Sequence, residues 1–486
     1  MSEEIKKLEP KEVWNNFYSL TRIPRPSKHE EKIQQFMLEF GDELGLETIR
    51  DKVGNIIIRK PATPGMEDCK GIILQAHLDM VPQKNTATQH DFEKDPITTV
   101  IDGEWVKARG TTLGSDNGIG VAAIMTVLAS KDIPHGPIEA LFTCDEETGM
   151  TGAENLKPDM LKGDILLNLD SEDEGELYIG CAGGVDVNGT LAFRQVEVPP
   201  FYAPYRISLT GLKGGHSGLD INLGRGNANK ILIQLLIQAA GKTGARLAQF
   251  EGGNLRNAIP REAFATVVVP ESRKEELKAL VAEFEENAKL MFHEADPGLM
   301  ISVSATKMPS HLMDEASQKQ FYHALDILPN GMIAMIKDAD GVVETSTNLA
   351  IVKTIEGKAT VACLLRSSVD EDKMKLAERM SKILLDNGFK TETSGAYPGW
   401  KPNFNSPILE AMKEVYRVKF GKIPQVKVIH AGLECGILGS KYPHWDMISF
   451  GPTIRGPHSP DEKVNIATVG LFWEYLVETL KHCPRR

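Results

Sequence analysis

The chain has 486 residues, of which 41% are hydrophobic and 25% charged, a balance that fits a soluble globular protein with room for two or more domains. Its net charge of −12, with no basic arm or stripe, argues against nucleic acid or an anionic membrane surface as the main partner. No uncharged apolar stretch has the length of a membrane helix; "ILIQLLIQAAG" is short and interrupted by glutamine.

The N-terminal "MSEEIKKLEP" is charged and lacks the apolar centre of a signal peptide, so a cytoplasmic protein is expected. Cys69, Cys144, Cys181, Cys363, Cys435 and Cys483 stand singly, which reads as reduced thiols rather than a disulfide framework or a thiolate zinc site. Next, "GNIIIRK", "GIILQAH", "IEALFTC" and "DILLNLD" read as strands bounded by Gly, Asp or Pro. Between them "NGIGVAAIMTVLASK" is apolar on most faces, the pattern of a buried helix. This alternation implies an α/β domain with a mostly parallel sheet and helices on both faces.

After about Gly184 the pattern changes. "AFATVVVP" precedes a helical stripe of Leu277, Leu280, Val281, Phe284, Ala288 and Met291. "ATVACLLRSS" precedes a similar stripe that stops at a glycine, so a strand-plus-helix unit occurs twice, the mark of a duplication. "YPGWKPN" has linker chemistry, and "PHWDMISFGP" reads as a further buried strand. The expected organisation is a catalytic domain of residues 1–185 and 397–486, interrupted by an inserted α+β lid domain of residues 186–396.

Chemistry gathers at the strand ends. "GIILQA" runs into His77 and Asp79, "IEALFTC" into Asp145, Glu146 and Glu147, "DILLNL" into Asp170, and "DMISFGP" leads to His458. Asp116, in "GSDNG", opens the buried helix on the same rim. In open α/β sheets ligands sit beyond the carboxyl ends of the strands. A set of imidazoles and carboxylates without cysteine suits zinc, and also cobalt or manganese. Three successive carboxylates at a buried strand end would otherwise repel one another, unless they form a solvated turn.

The motifs "HLDM", "GSDNG", "CDEETG", "LNLDSEDEGE" and "GPHSPDE", in this order, resemble the co-catalytic dinuclear zinc peptidase family that contains aminoacylase and glutamate carboxypeptidase. "GGHSG", "NAIP", "HAGLECG" and "YPGWKPN" resemble its bacterial aminoacyl-histidine dipeptidases, and the likeness covers nearly the whole chain. The resemblance implies two zinc ions per subunit, with cobalt or manganese able to substitute. Asp116 would bridge both ions, His77 and Asp170 would complete one site, and Glu147 and His458 the other. Asp79 would orient His77, and a cis peptide is expected between Asp116 and Asn117. Glu146 would then be the general base and acid acting on a metal-activated water. Asp145 has no role in this scheme and is left solvated or structural.

The resemblance further implies that His216, in the inserted domain, stabilises the transition state. In some relatives this residue comes from the other subunit, whereas the double-length insertion here points to a self-sufficient lid. Arg366 ends the strand "ATVACLLR", where a guanidinium can clamp a substrate carboxylate. Asn257 matches the family's substrate-binding asparagine; in "HAGLECG", Gly432 is expected to let backbone donors approach the substrate, and His430 or Glu434 to shape the pocket. The expected activity is hydrolysis of Xaa-His dipeptides, carnosine-like ones included, and of other dipeptides, by a monomer or homodimer. The alternatives are an N-acyl-amino-acid hydrolase or a tripeptidase of the same family.

Overall fold

The apolar runs of the first third form the centre of an eight-stranded sheet in a computed structural model, which describes residues 2–337, 339 and 341–486. The chain divides into two compact units. One comprises the chain up to Gly180 with Trp400–Val428 and Leu433–Arg486, and the other comprises Cys181–Gly399 with Ile429–Gly432. The second unit thus takes in His430 and Gly432, which the sequence reading assigned to the catalytic domain. The cause is local pairing, because the Ala182 amide donates to the carbonyls of Ile429 and Ala431.

In the first unit the strands Ile138–Thr143, Ile72–His77, Ile165–Asn168 and Asp446–Ser449 lie side by side and parallel. Glu47–Arg50 and Ile56–Lys60 extend one side antiparallel, and Glu176–Cys181 pairs antiparallel with Asp446–Ser449 on the other. Side chains alternate between the two faces of the sheet. Ile72, Leu74 and Ala76 pack with Trp14, Phe17, Ile33, Met37, Ile124, Met412 and Leu476, residues of five helices on one face. Ile73, Gln75 and His77 point to the other face, where the short helices Thr151–Asn155 and Glu434–Lys441 pack together. The expected buried helix is Ser115–Ala129, in which only Asp116 and Ala129 are not fully buried. Gly120 lets this helix meet the sheet, since a Cβ there would lie 2.7 Å from the Leu169 carbonyl oxygen.

The second unit is a nine-stranded antiparallel sheet with four helices in a row on one face. It holds two copies of one β-α-β-β-α-β pattern. The inner copy runs Tyr202–Thr210, Ala228–Thr243, Arg246–Gly252, Ala263–Pro270, Lys274–Met291 and Met300–Ala305. The outer copy runs Gly183–Ala192, Glu315–Ile327, Val343–Ile355, Lys358–Ser367, Asp370–Asp386 and Lys390–Tyr397, so the inner copy interrupts it after its first strand. Each copy has the same strand order, and the two meet where Arg246–Gly252 pairs with Val343–Ile355. In the helix Lys274–Met291 the expected stripe is buried at Leu277, Leu280, Val281 and Ala288, but Met291 is exposed because it is the last residue of the helix. All six cysteines are buried thiols, and no helix among the described residues is long and apolar enough to cross a membrane.

Candidate metal centre and the Arg366 cluster

His77, Asp116, Glu146, Glu147, Asp170 and His458 converge at the carboxyl ends of the parallel strands of the first unit. Asp116 sits at the middle. Its Oδ1 lies 3.2 Å from His77 Nε2 and its Oδ2 lies 3.5 Å from His458 Nε2. Asp170 Oδ1 is 3.4 Å from His77 Nε2, and Glu147 Oε2 is 2.9 Å from His458 Nε2. Two sets of donor atoms therefore share one carboxylate. Within each set, His77–Asp116–Asp170 and Asp116–Glu147–His458, the ligand atoms lie within 4.8 Å of one another. Glu147 Oε1 is buried without a hydrogen-bond partner, which leaves an acceptor facing no donor. This nitrogen and oxygen set fits divalent cations such as zinc. The peptide bond between Asp116 and Asn117 is cis.

The acidic triplet separates into three environments. Asp145 adopts φ +50° and accepts from the hydroxyls of Thr148 and Thr151, so it builds the turn. Asp79 is fully buried and takes the amides of Glu146 and Glu147 on its two oxygens at 3.0 and 3.2 Å. The same carboxylate lies 3.3 Å from His77 Nδ1 and accepts from Ser27 Oγ at 2.8 Å. It thereby fixes both an imidazole and the following acids, the kind of outer contact that a ligating histidine requires.

Two further charged residues hold the centre, and the sequence reading gave neither a role. Glu462 accepts from the amides of Leu113, Gly114, Ser115 and Asp116 and from Ser115 Oγ, at 2.6 to 3.1 Å. Arg25 is buried and donates to the carbonyls of Leu78, Asp79 and Gly114. Glu462 belongs to "GPHSPDE", so the motif pointed to it without giving its task, whereas nothing distinguishes Arg25 in the sequence. Glu462→Ala is expected to destabilise the protein by about 3–5 kcal/mol, since it strands a row of buried amide donors. Denaturant titration measures that loss.

The centre's electrostatics follow from crowding. Burial works against a charged His77, yet Asp170, Asp116 and Asp79 hold it well above its ordinary value. Hydrogen bonds to Asp116 and Glu147 push His458 up to about 11. Burial, reinforced by Asp170, Glu434 and Glu147, raises Glu146 well above the usual carboxyl range. In the ion-free protein this crowding favours the imidazolium form of both histidines, and a cation must displace the extra protons. Zinc uptake is expected to release about two protons and to tighten as pH rises. Calorimetry in buffers of different ionisation heat measures that count.

The second unit has its own cluster. In Lys358–Ser367, Ala359, Val361, Cys363 and Leu365 face the helices, so Arg366 faces away from them. The guanidinium is buried, bonds Tyr397 Oη at 3.1 Å, and forms no ion pair among the described residues. His216 Nδ1 accepts from the amides of Gly218 and Leu219 at 3.2 and 3.0 Å, so the neutral ring carries its proton on Nε2. Burial, with Arg366 adding to it, keeps the ring neutral. His216 Nε2 lies 3.5 Å from Arg366 Nη2. Two donors thus face one space, an arrangement suited to an anionic oxygen. His430 is buried, with Nε2 2.7 Å from Ser346 Oγ, and burial beside Arg366 pushes it down to about 3. Asn257 is exposed and its carbonyl accepts from the Ser217 amide. Gly432 closes the short segment Ile429–Gly432.

Residues 73–482 match the profile of Peptidase family M20/M25/M40. The chain belongs to this family. As an M20 peptidase it is a metal-dependent hydrolase of peptide bonds. It is 47% identical over 483 residues to the cytosol non-specific dipeptidase of Escherichia coli, covering 99% of this chain and 100% of that one. The crystal structure of aminoacylhistidine dipeptidase from Vibrio alginolyticus superposes with a TM-score of 0.96 at 48% identity, over the full length of both chains. A Staphylococcus aureus tripeptidase, 16% identical, superposes with a TM-score of 0.56 over 98% of each chain and shares the M20 fold.

Proposed function

We propose that this M20 peptidase is a cytoplasmic dipeptidase that cleaves Xaa-His and other dipeptides with two zinc ions, for which cobalt or manganese can substitute. The observation that carries the reading is Asp116, whose two oxygens face two separate histidine–carboxylate sets. The full-length likeness to a cytosol non-specific dipeptidase and an aminoacylhistidine dipeptidase supports the substrate class.

In this scheme Asp116 would serve both cations, His77 and Asp170 would hold one, and Glu147 and His458 would hold the other. Divalent cations bound there would polarise a scissile carbonyl and lower the pKa of water to about 7. Asp79 keeps His77 in the tautomer that presents Nε2. Glu146, whose carboxyl is shifted toward neutrality by burial, takes the proton of the attacking water and returns it to the leaving amine. His216 donates its Nε2 proton to the oxygen on which charge develops, and Arg366 pairs with the substrate's terminal carboxylate. Asn257, His430 and Gly432 line the substrate side.

The test compares hydrolysis of β-alanyl-histidine, a second Xaa-His dipeptide, its N-acetyl form and a tripeptide by the zinc-loaded protein. The dipeptides are expected to turn over at least about 10²-fold faster than either blocked or extended substrate, a discrimination within reach of buried charged groups left unpaired. Preference for the acetylated peptide or for the tripeptide would replace this reading with an acyl-amino-acid hydrolase or a tripeptidase.

A further inference from the structure

Glu434 is fully buried, and the proposed chemistry gives it no task. It opens the helix Glu434–Lys441 on the face of the sheet to which Gln75 and His77 point. Its Oε2 accepts from Gln75 Nε2 at 2.7 Å and from Thr143 Oγ1 at 2.8 Å, while its Oε1 has no partner. A chain of hydrogen bonds leads to it across the sheet. Ser171 Oγ meets Ser449 Oγ at 2.7 Å, Ser449 Oγ donates to Asn168 Oδ1 at 2.5 Å, and Asn168 Nδ2 donates to Gln75 Oε1 at 2.5 Å. Every member is buried.

The chain has one direction. Gln75 can donate to Glu434 only with Nε2, which leaves Oε1 for Asn168; Asn168 then offers Oδ1 to Ser449, and Ser449 must accept from Ser171. The carboxylate at the end sets the orientation of each amide before it. The members also index the strands that carry the centre. Gln75 lies two residues before His77 on the same face, Asn168 lies two residues before Asp170, and Ser171 follows it. Thr143 pairs in register with His77 and leads into the turn that bears Glu146 and Glu147.

The geometry points to Glu434 as a positioning residue: it terminates a one-way hydrogen-bond chain that locks the strand ends bearing His77, Asp170 and Glu147 into the spacing the cations need. The inference rests on the two-cation reading above. A chain of this kind needs an acceptor at its end and does not need the charge, so glutamine can serve there with its oxygen on Gln75 and Thr143. Alanine cannot.

The test measures zinc affinity by competition with a chromophoric chelator, and kcat and KM separately, for the full chain and its variants. Glu434→Ala is expected to weaken zinc binding by about 10-fold or more and to lower kcat with KM little changed. Glu434→Gln is expected to restore both to within about threefold of the parent. Thr143→Val, which removes one donor and keeps the shape, is expected to weaken zinc binding to a smaller extent, and it decides the matter if Glu434→Ala does not fold. Parent-like zinc affinity in Glu434→Ala, or in Thr143→Val where that variant decides, overturns the inference. Equal damage from Gln and Ala at 434 also overturns it, because the charge would then be what counts. Failure of the two-cation reading is seen separately, as a parent protein that takes up no zinc.

Discussion

Glu146→Gln is expected to lower turnover by about 10²–10⁴-fold while the protein takes up its full complement of zinc. The substitution keeps the shape of the side chain. The backbone at 146 remains held, because the amide hydrogen bond to Asp79 Oδ1 does not involve the altered group. What is lost is the ability to receive a proton, and burial among Asp170, Glu434 and Glu147 raises the proton affinity of the native carboxyl. The loss should therefore fall on kcat, with KM changed only a few-fold. Steady-state kinetics combined with elemental analysis decides it, and unchanged turnover with zinc bound would remove Glu146 as the base.

Asp116→Ala should strike harder at the cations themselves. One carboxylate serves both donor sets, so its removal takes an oxygen from each at once. What is left, His77 with Asp170 and Glu147 with His458, is two side-chain donors per set, short of the three protein ligands usual for catalytic zinc. Zinc content is expected to fall to less than half of the parent's, and activity by more than about 10³-fold. Equilibrium dialysis followed by elemental analysis measures the first, and dipeptide hydrolysis the second. Retention of one tightly held ion with a tenth or more of the activity would mean that the two sets work independently.

Much of this centre was legible because its side chains come at the ends of apolar runs. A strand such as Ile72–His77, buried at every residue, must reach the rim of the sheet before it can present a polar group, so the first polar residues mark the rim. The same logic located Asp170 and the acidic triplet. The supporting residues were illegible for a converse reason. Arg25 and Glu462 bind backbone carbonyls and amides, which every residue carries, so nothing in their own neighbourhoods announces a partner. The roles of the triplet followed from the family resemblance, but what holds Glu146 and Glu147 in place was hidden, because it is the Asp79 carboxylate, brought from a neighbouring strand. In the second unit the repeated strand-plus-helix pairs were visible, since each is continuous in sequence. The first strand and first helix of the outer copy, Gly183–Ala192 and Glu315–Ile327, stand on either side of the inner copy and could not be read as one unit.

That nesting bears on the order of assembly. As the polypeptide leaves the ribosome, the inner copy is complete once Met300–Ala305 has emerged, and its pairings span modest stretches of sequence. Gly183–Ala192 emerges earlier, yet both of its neighbours, Lys358–Ser367 and Lys390–Tyr397, come from far downstream. The older strand must wait with both edges bare while a younger sheet closes beside it, and such distant pairings are the slow ones. Truncation before residue 358 would therefore leave the strand Gly183–Ala192 without either of its neighbours, while every strand pairing within the inner copy would still be available.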